Sequence, residues 1–512
     1  MAHVNIVGFE SGDTSECNST SGTFSVQTSV KRTGAYALRC NPTTTATGRV
    51  TVGRLLATGA TTVASTGAAT AAYFRFYFRF DTAPASNDEP ILAEIQLSSV
   101  EIRLTSAGKL AAYDINGILL ATGATTLSSG TFYRIEFKSD VSSVTDEVWE
   151  VKIDGVSEIS GTTPAFMTEI WGFAVGKFAN KNGNSVDYYF DDIAWRDDAY
   201  PGAGQIEVMQ PSAAGNYQTF TRGGADSGNN WDQADELPHN SDTNYLVSDN
   251  TVDHAETEAL ESAASAGVSG TINCAKACSV MKRDGASNGA VRQRVRSGST
   301  DSDTSSNYAA TAAYALIAKL HATDPATGSA WLTTGLDGLE TGAVEKSATN
   351  KSRMTATYAV VDYTPAAGAS AALTGTATAG ITEADVVAGA KTLIITLTGD
   401  TFVASGGAFD AIRQDIIDGL DSAQAEGTGW NAEVRDNEVV AAVVRTSATV
   451  VTITLTAAAA YDITATETIT VTVPASALVG GVPLTASPTF TVTHIATGKP
   501  THFMHYARLR AG

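Results

Sequence analysis

Carboxylates are the residues of this chain best suited by type to catalysis, and the chemistry they suggest is glycoside cleavage. That reaction needs two carboxyl groups ~5–5.5 Å apart for retention of configuration, which a strand supplies from neighbouring positions on one face. No strand offers a persuasive pair. Asp191-Asp192 are consecutive, so on a strand they point to opposite faces and are expected not to act together. A Gly-rich phosphate loop, a nucleophile elbow and a Cys-rich zinc pattern are all missing, and the expectation is a protein that is not an enzyme.

Metal binding is the next chemistry to weigh. Asp197, Asp198, Asp226, Asp232 and Asp235 stand in Gly- and Asn-rich stretches, and oxygen-rich loops can hold calcium, but no twelve-residue loop with a closing Glu accompanies them. No cofactor is expected. His502 and His505, three apart on a presumed strand, face opposite ways and make a poor two-His site. Four cysteines, Cys17, Cys40, Cys274 and Cys278, are too few for a disulfide framework in 512 residues. Cys274 and Cys278 share a strand face ~13 Å apart and read as buried thiols, whereas Cys17 and Cys40 could bridge if two early strands adjoin.

Two clusters suit binding better than catalysis. In 72–80, AYFRFYFRF, Phe74, Phe76, Phe78 and Phe80 take one face of a strand, while Tyr73, Arg75, Tyr77 and Arg79 take the other. The first set is core. The second is a candidate surface for a ligand or partner, because aromatic and Arg side chains are enriched at such surfaces, or a face covered by neighbouring structure. The second cluster is the tail, in which His502, Phe503, His505, Tyr506, Arg508 and Arg510 are candidate assembly contacts. A basic, aromatic end on an acidic body is expected to dock on a sheet or on another subunit.

That body has 33 Lys plus Arg against 54 Asp plus Glu, a net charge of −21, which argues against binding nucleic acid. The opening residues lack a basic region followed by an apolar core, and no run of about 18 apolar residues occurs, so neither a signal peptide nor membrane insertion is expected. Thr, Ala, Ser and Gly dominate and long Leu-rich helical patterns are scarce. The fold class expected is therefore all-β, as several β-sandwiches.

Strands read at 72–80, 91–97, 100–105, 110–115, 132–139 and 148–154, with Asn116-Gly117 and Asp154-Gly155 as hairpin turns. The stretch SVDYYFDDIAWRDDAYPGAG, 185–204, reads as a closing strand running into a linker. Arg283-Asp284-Gly285 reads as a hairpin turn between strands at 272–282 and 291–297. PAAGASAALTGTATAG, 365–380, is small, uncharged and aperiodic, again a linker. Beyond it, Phe409, Ile412, Ile416, Ile417 and Leu420 fall at helical spacing among strands. The division expected is 1–203, 205–364, a linker at 365–380, 381–494 and a tail at 495–512.

An opening VNIVGFESG and a closing FDDIAW about 190 residues later resemble the laminin-G or concanavalin-like lectin jelly rolls of phage structural proteins. Glucanase relatives of such folds carry Glu-x-Asp-x-x-Glu, which neither 94–101 nor 146–150 reproduces. LPHNSDTNY at 237–245, KRDG at 282–285, VRSG at 295–298 and DPATGSAW at 324–331 resemble a β-domain of tailed-phage virion proteins, although His239 stands where a Pro-Asn-Gly-Asp turn is more usual. ITEADVVAG, IIDGLDSAQAEGTGW and ATETITVTVP resemble an Ig-like module of phage and bacterial surface proteins, a sandwich with one inserted helix.

Together these resemblances imply a non-enzymatic virion structural protein of a tailed bacteriophage, made in the host cytoplasm. A tail fibre or adhesin with glycan binding is the leading expectation. Capsid decoration or a head fibre is the alternative, and a polysaccharide hydrolase a distant third. The expected partners are other virion proteins, host-surface glycans and copies of the chain itself, as a symmetric homo-oligomer, with a trimer favoured by analogy with phage fibres.

Overall fold

In the computed structural model, the aromatic strand Ala71–Phe80 lies at the centre of a sheet, and its alternation sets what that sheet packs against. Phe74, Phe76, Phe78 and Phe80 are buried, and Phe74 stacks on Phe173 of the opposing sheet with ring centroids 4.3 Å apart. The structure describes residues 3–494 apart from 41–46, 56–60, 63–68, 86–88, 96–99, 144, 166–167, 179–185, 225–227, 366–369, 375–380, 390, 424–428 and 480–483. The chain is all-β, with several antiparallel sheets and few helices, and it divides into two units, Met1–Pro365 and Ala366–Gly512.

The first unit contains two sandwiches. In the first, one sheet runs in the order Val156–Pro164, Asp146–Ile153, Tyr133–Asp140, Ala71–Phe80, Tyr188–Arg196, Ala37–Cys40 and Ser25–Gln27, with His3–Val7 also pairing with Tyr188–Arg196. The opposing sheet runs Leu119–Thr122, Leu110–Asp114, Val100–Leu104, Ile91–Ile95, Gly172–Phe178, Gly48–Leu55 and Ser19–Gly22. Asp154 and Gly155 both take positive φ, 51° and 89°, as a two-residue hairpin turn requires.

The second sandwich is built around the long strands Thr271–Asp284 and Lys351–Thr364 in one sheet, with Ala255–Leu260, Leu339–Glu345 and Gly289–Ser297 in the other. The expected hairpin through Arg283-Asp284-Gly285 is not formed. Thr271–Asp284 and Gly289–Ser297 belong to opposite sheets, so the turn crosses the sandwich. All four cysteines are buried free thiols, Cys17 and Cys40 included.

No extended linker separates these two sandwiches. Gly204, the end of the expected linker, is so closely packed that a Cβ there would lie 2.0 Å from Arg75 Nη1. Ile6 and Ala194 of the first sandwich share an apolar cluster with Ile206, Cys274, Cys278, Tyr358 and Val360. Through this seam run buried ion pairs, Arg75 with Asp362 at 2.8 Å and Lys276 with Glu16 at 2.6 Å. Burying charge is tolerable only where each is paired, and these pairs fix the two sandwiches in register.

The second unit has two four-stranded sheets around Leu393, Ile395, Trp430, Val451, Ile469 and Val492. The helix Gly407–Asp418 buries Phe409, Ile412, Ile416 and Ile417 as the spacing predicts. A further helix, Glu383–Ala388, is set by a capping box of Thr382 with Asp385 and ended by Gly389 at φ 64°, so the module holds more than the one helix expected. Part of the expected linker is also structured: Ser370–Thr374 pairs with Thr392–Thr398. The tail, with His502, Phe503, His505, Tyr506, Arg508 and Arg510, lies outside the described residues.

Candidate functional site

The strand Ala71–Phe80 presents Tyr73, Arg75, Tyr77 and Arg79 on its second face, and the structure covers most of them. Arg75 is fully buried, donating to the Asp362 carboxylate and to the Asp192 carbonyl at 3.0 Å. Tyr77 lies under the Arg32 guanidinium, 3.4 Å from the ring centroid, and Tyr73 meets the edge of Tyr200. Arg79 pairs with Asp81 at 3.1 Å. Arg75 and Tyr77 are therefore closed to any outside ligand, because the second sandwich and the turn at 31–35 are their partners.

Asp191 and Asp192 also depart from expectation. The strand is irregular between Asp191 and Ala194, and Asp192 takes φ 50°, so the two carboxylates do not diverge as on a regular strand. Arg32 joins them: its backbone N–H donates to Asp191 Oδ2 at 2.8 Å and its Nη1 to Asp192 Oδ2 at 2.5 Å. Thr33, Gly34 and Ala35 donate to Asp192, Glu207 and Glu10 in turn. Burial pushes Glu10 up to about 9 and Glu207 up to about 7, with repulsion between neighbouring acids adding to it. Saturated by protein donors, this knot ties the chain together and leaves no face for a substrate.

The candidate site lies instead on the outer face of the opposing sheet of the first sandwich. Inward residues Val52, Ile102, Leu104, Ala112, Phe173 and Val175 fill the core, and the alternation of the strands sends Arg49, Glu94, Glu101, Arg103 and Tyr113 outward. Glu94 faces Glu101 across one strand pair, and Glu101 faces Tyr113 across the next. Cations hold the row together: Arg49 Nη1 lies 3.0 Å from Glu94, Arg103 Nη2 2.7 Å from Glu101, and the Arg103 guanidinium stacks 4.3 Å above the Tyr113 ring. The Tyr113 hydroxyl donates to Glu89 at 2.7 Å.

These groups are half-buried, and among the ion-paired side chains exposure runs from 37% at Arg49 to 13% at Arg103. Burial and the neighbouring Glu101 raise Glu94, while Arg49 opposes the rise. Beside the row, the hairpin that continues from Tyr113 exposes Ile115, Ile118 and Leu119. The arrangement offers planar donors, carboxylate acceptors, an aromatic ring and an apolar lip on rigid strands, a combination suited to gripping a polyhydroxylated ligand. Sequence reading passed over it because it sought paired carboxylates along one strand, whereas Glu94 and Glu101 meet across two. Among the described residues, Asp197, Asp198, Asp232 and Asp235 do not gather into a cation-binding group, and Asp226 lies outside them.

No family model and no curated protein sequence matches the chain. Similar solved structures include an endo-β-1,4-glucuronan lyase from the fungus Trichoderma reesei, 14% identical over 38% of this chain and 94% of that one, with a TM-score of 0.29. Domain 4 of AbnA, a GH43 extracellular arabinanase from Geobacillus stearothermophilus in complex with arabinotriose, is 12% identical over 38% and 92%, with a TM-score of 0.26. A carbohydrate esterase, vb_24B_21, from the Shiga toxin-encoding bacteriophage phi24B is 14% identical over 38% and 99%, with a TM-score of 0.28. At such identities and scores the function is read from the side chains themselves.

Proposed function

We propose that this protein is a non-enzymatic adhesive component of a tailed-phage virion, a tail-associated fibre or adhesin, which holds carbohydrate on the outer face of its first sandwich. The observation that carries the binding half of this reading is the row Arg49, Glu94, Glu101, Arg103 and Tyr113, ordered by its own ion pairs and half-open to solvent. The virion half is supported by the sequence motifs at 237–245, 282–285, 295–298 and 324–331. On a particle the chain would act as a homo-oligomer, a trimer by analogy with phage fibres, so that modest affinities multiply. Capsid decoration is the alternative placement.

One observation favours a hydrolase as the second reading: Glu94 and Glu101 are cross-strand partners, and Glu94 is raised. Arg49 opposes that rise, however, and Arg103 occupies the Glu101 carboxylate at 2.7 Å, so both carboxylates are already engaged by protein partners rather than set toward a scissile bond. A glycan array probed with the full-length protein, followed by an assay for new reducing ends on every glycan bound, tests the assignment. Binding without cleavage is expected; cleavage would make the protein an enzyme, and no binding would remove the adhesin reading. Immunogold labelling of intact particles separates tail from head.

A further inference from the structure

Where the two sandwiches of the first unit meet, the strands His3–Val7, Thr271–Asp284 and Lys351–Thr364 bring together an imidazole, a thiol and a carboxylate that are far apart in sequence. We propose that His3, Cys274 and Asp362 form a binding site for a divalent transition-metal ion of the zinc type, which staples the N-terminal strand to the second sandwich. The ligand atoms all lie within 4.8 Å of one another, and Cys274 and Asp362 are register partners on adjacent strands. Tetrahedral zinc with bonds of ~2.0–2.3 Å sets its ligand atoms ~3.3–3.8 Å apart. His3 Nε2 and Asp362 Oδ2 already stand at 3.2 Å, so a small closure by Cys274 completes the geometry.

A second observation points to a ligand. The His3 side chain is 2% exposed and that of Asp362 fully buried, and apart from their 3.2 Å approach to each other neither His3 ring nitrogen nor Asp362 Oδ2 has a hydrogen-bond partner. Buried polar atoms are rarely left this way, and atoms converging on one point want a shared partner. The other Asp362 oxygen accepts from Arg75 at 2.8 Å, which orients the carboxylate and leaves Oδ2 aimed at the site, as a supporting hydrogen bond does for a metal ligand. One sulfur, one nitrogen and one oxygen suit zinc better than calcium or magnesium, which take oxygen alone.

Coordination through Cys274 replaces its thiol proton with the ion, so loading releases a proton from sulfur. His3 also lines a cavity of ≈ 300 Å³ with Arg54, Leu55, Asp197, Asp303 and Lys319.

The test uses tag-free full-length protein incubated with zinc chloride, desalted and assayed by mass spectrometry for metal. One zinc per chain is expected, together with a higher thermal midpoint. Cobalt in place of zinc should give a thiolate-to-metal charge-transfer band that Cys274→Ser abolishes and Cys278→Ser leaves intact. His3→Ala should lose the zinc-dependent thermal shift. If that variant fails to fold, the near-isosteric Cys274→Ser carries the test alone. A wild-type protein that emerges without zinc, or a cobalt band that survives Cys274→Ser, would overturn the proposal.

Discussion

Arg75 and Asp362, 287 residues apart, form an ion pair at 2.8 Å in which both side chains are fully buried, one from each sandwich of the first unit. Asp362 is held below the usual carboxylate range although its burial acts the other way, because Arg75 and His3 stand beside it. Removing one partner leaves an uncompensated charge in the seam, which costs about 3–5 kcal/mol. Asp362→Asn is therefore expected to lower the urea midpoint of the first unit sharply. Arg75→Met combined with Asp362→Leu should recover part of that loss, because it removes both charges of the pair and leaves only the Asp192 carbonyl and His3 without these partners. A single variant as stable as the wild type would show that the pair does not hold the seam.

Gly204 tests the same seam without touching a charge. A Cβ at this position would lie 2.0 Å from Arg75 Nη1 and 2.8 Å from Asp362 Oδ1, so Gly204→Ala must push the guanidinium out of place. Overpacking of this kind costs about 1–3 kcal/mol. Limited proteolysis reads the result: the wild type should resist cutting at 201–205, and the variant should be cut there early. Early cutting of the wild type would mean that the segment is an open linker after all.

The buried acids of the first unit make a prediction about pH. Burial raises the Glu10 and Glu258 carboxyls to about 9 and those of Glu207 and Glu256 to about 7, against an ordinary value of 4.5. The folded chain thus keeps protons that the unfolded chain releases, and stability falls as pH rises from about 4.5 toward 9. Urea midpoints should decline across that window, more gently in Glu10→Gln. A midpoint that climbs from pH 5 to pH 8 would contradict the burial of these groups.

The parts of the fold legible in sequence are those fixed by local periodicity. Phe74, Phe76, Phe78 and Phe80 could only be a core face, and Phe409, Ile412, Ile416 and Ile417 only a helix face, because burial selects apolar side chains at the period of the element. The destination of Arg75 was not legible, since its partner Asp362 comes from another sandwich and no local pattern encodes that meeting. Asp191 and Asp192 misled for a different reason: a positive φ at one residue cancels the alternation on which the reading of their faces rested. The candidate site was half-visible. The stretch 94–101 is weighed in sequence only against a single-strand Glu-x-Asp-x-x-Glu motif, whereas the meeting of Glu94 with Glu101, and of both with Arg49, Arg103 and Tyr113, follows from strand register, which spacing alone does not supply.

Isothermal titration of the full-length protein with a glycan captured on the array, compared across Arg103→Ala, Tyr113→Ala and the distant surface variant Arg292→Ala, tests the proposed carbohydrate-binding role itself. Losing a guanidinium or a ring that grips the ligand should weaken affinity about tenfold or more, about 1.4 kcal/mol, while Arg292→Ala should bind as the wild type does. Equal affinity in all four proteins would place carbohydrate binding elsewhere or nowhere on the chain.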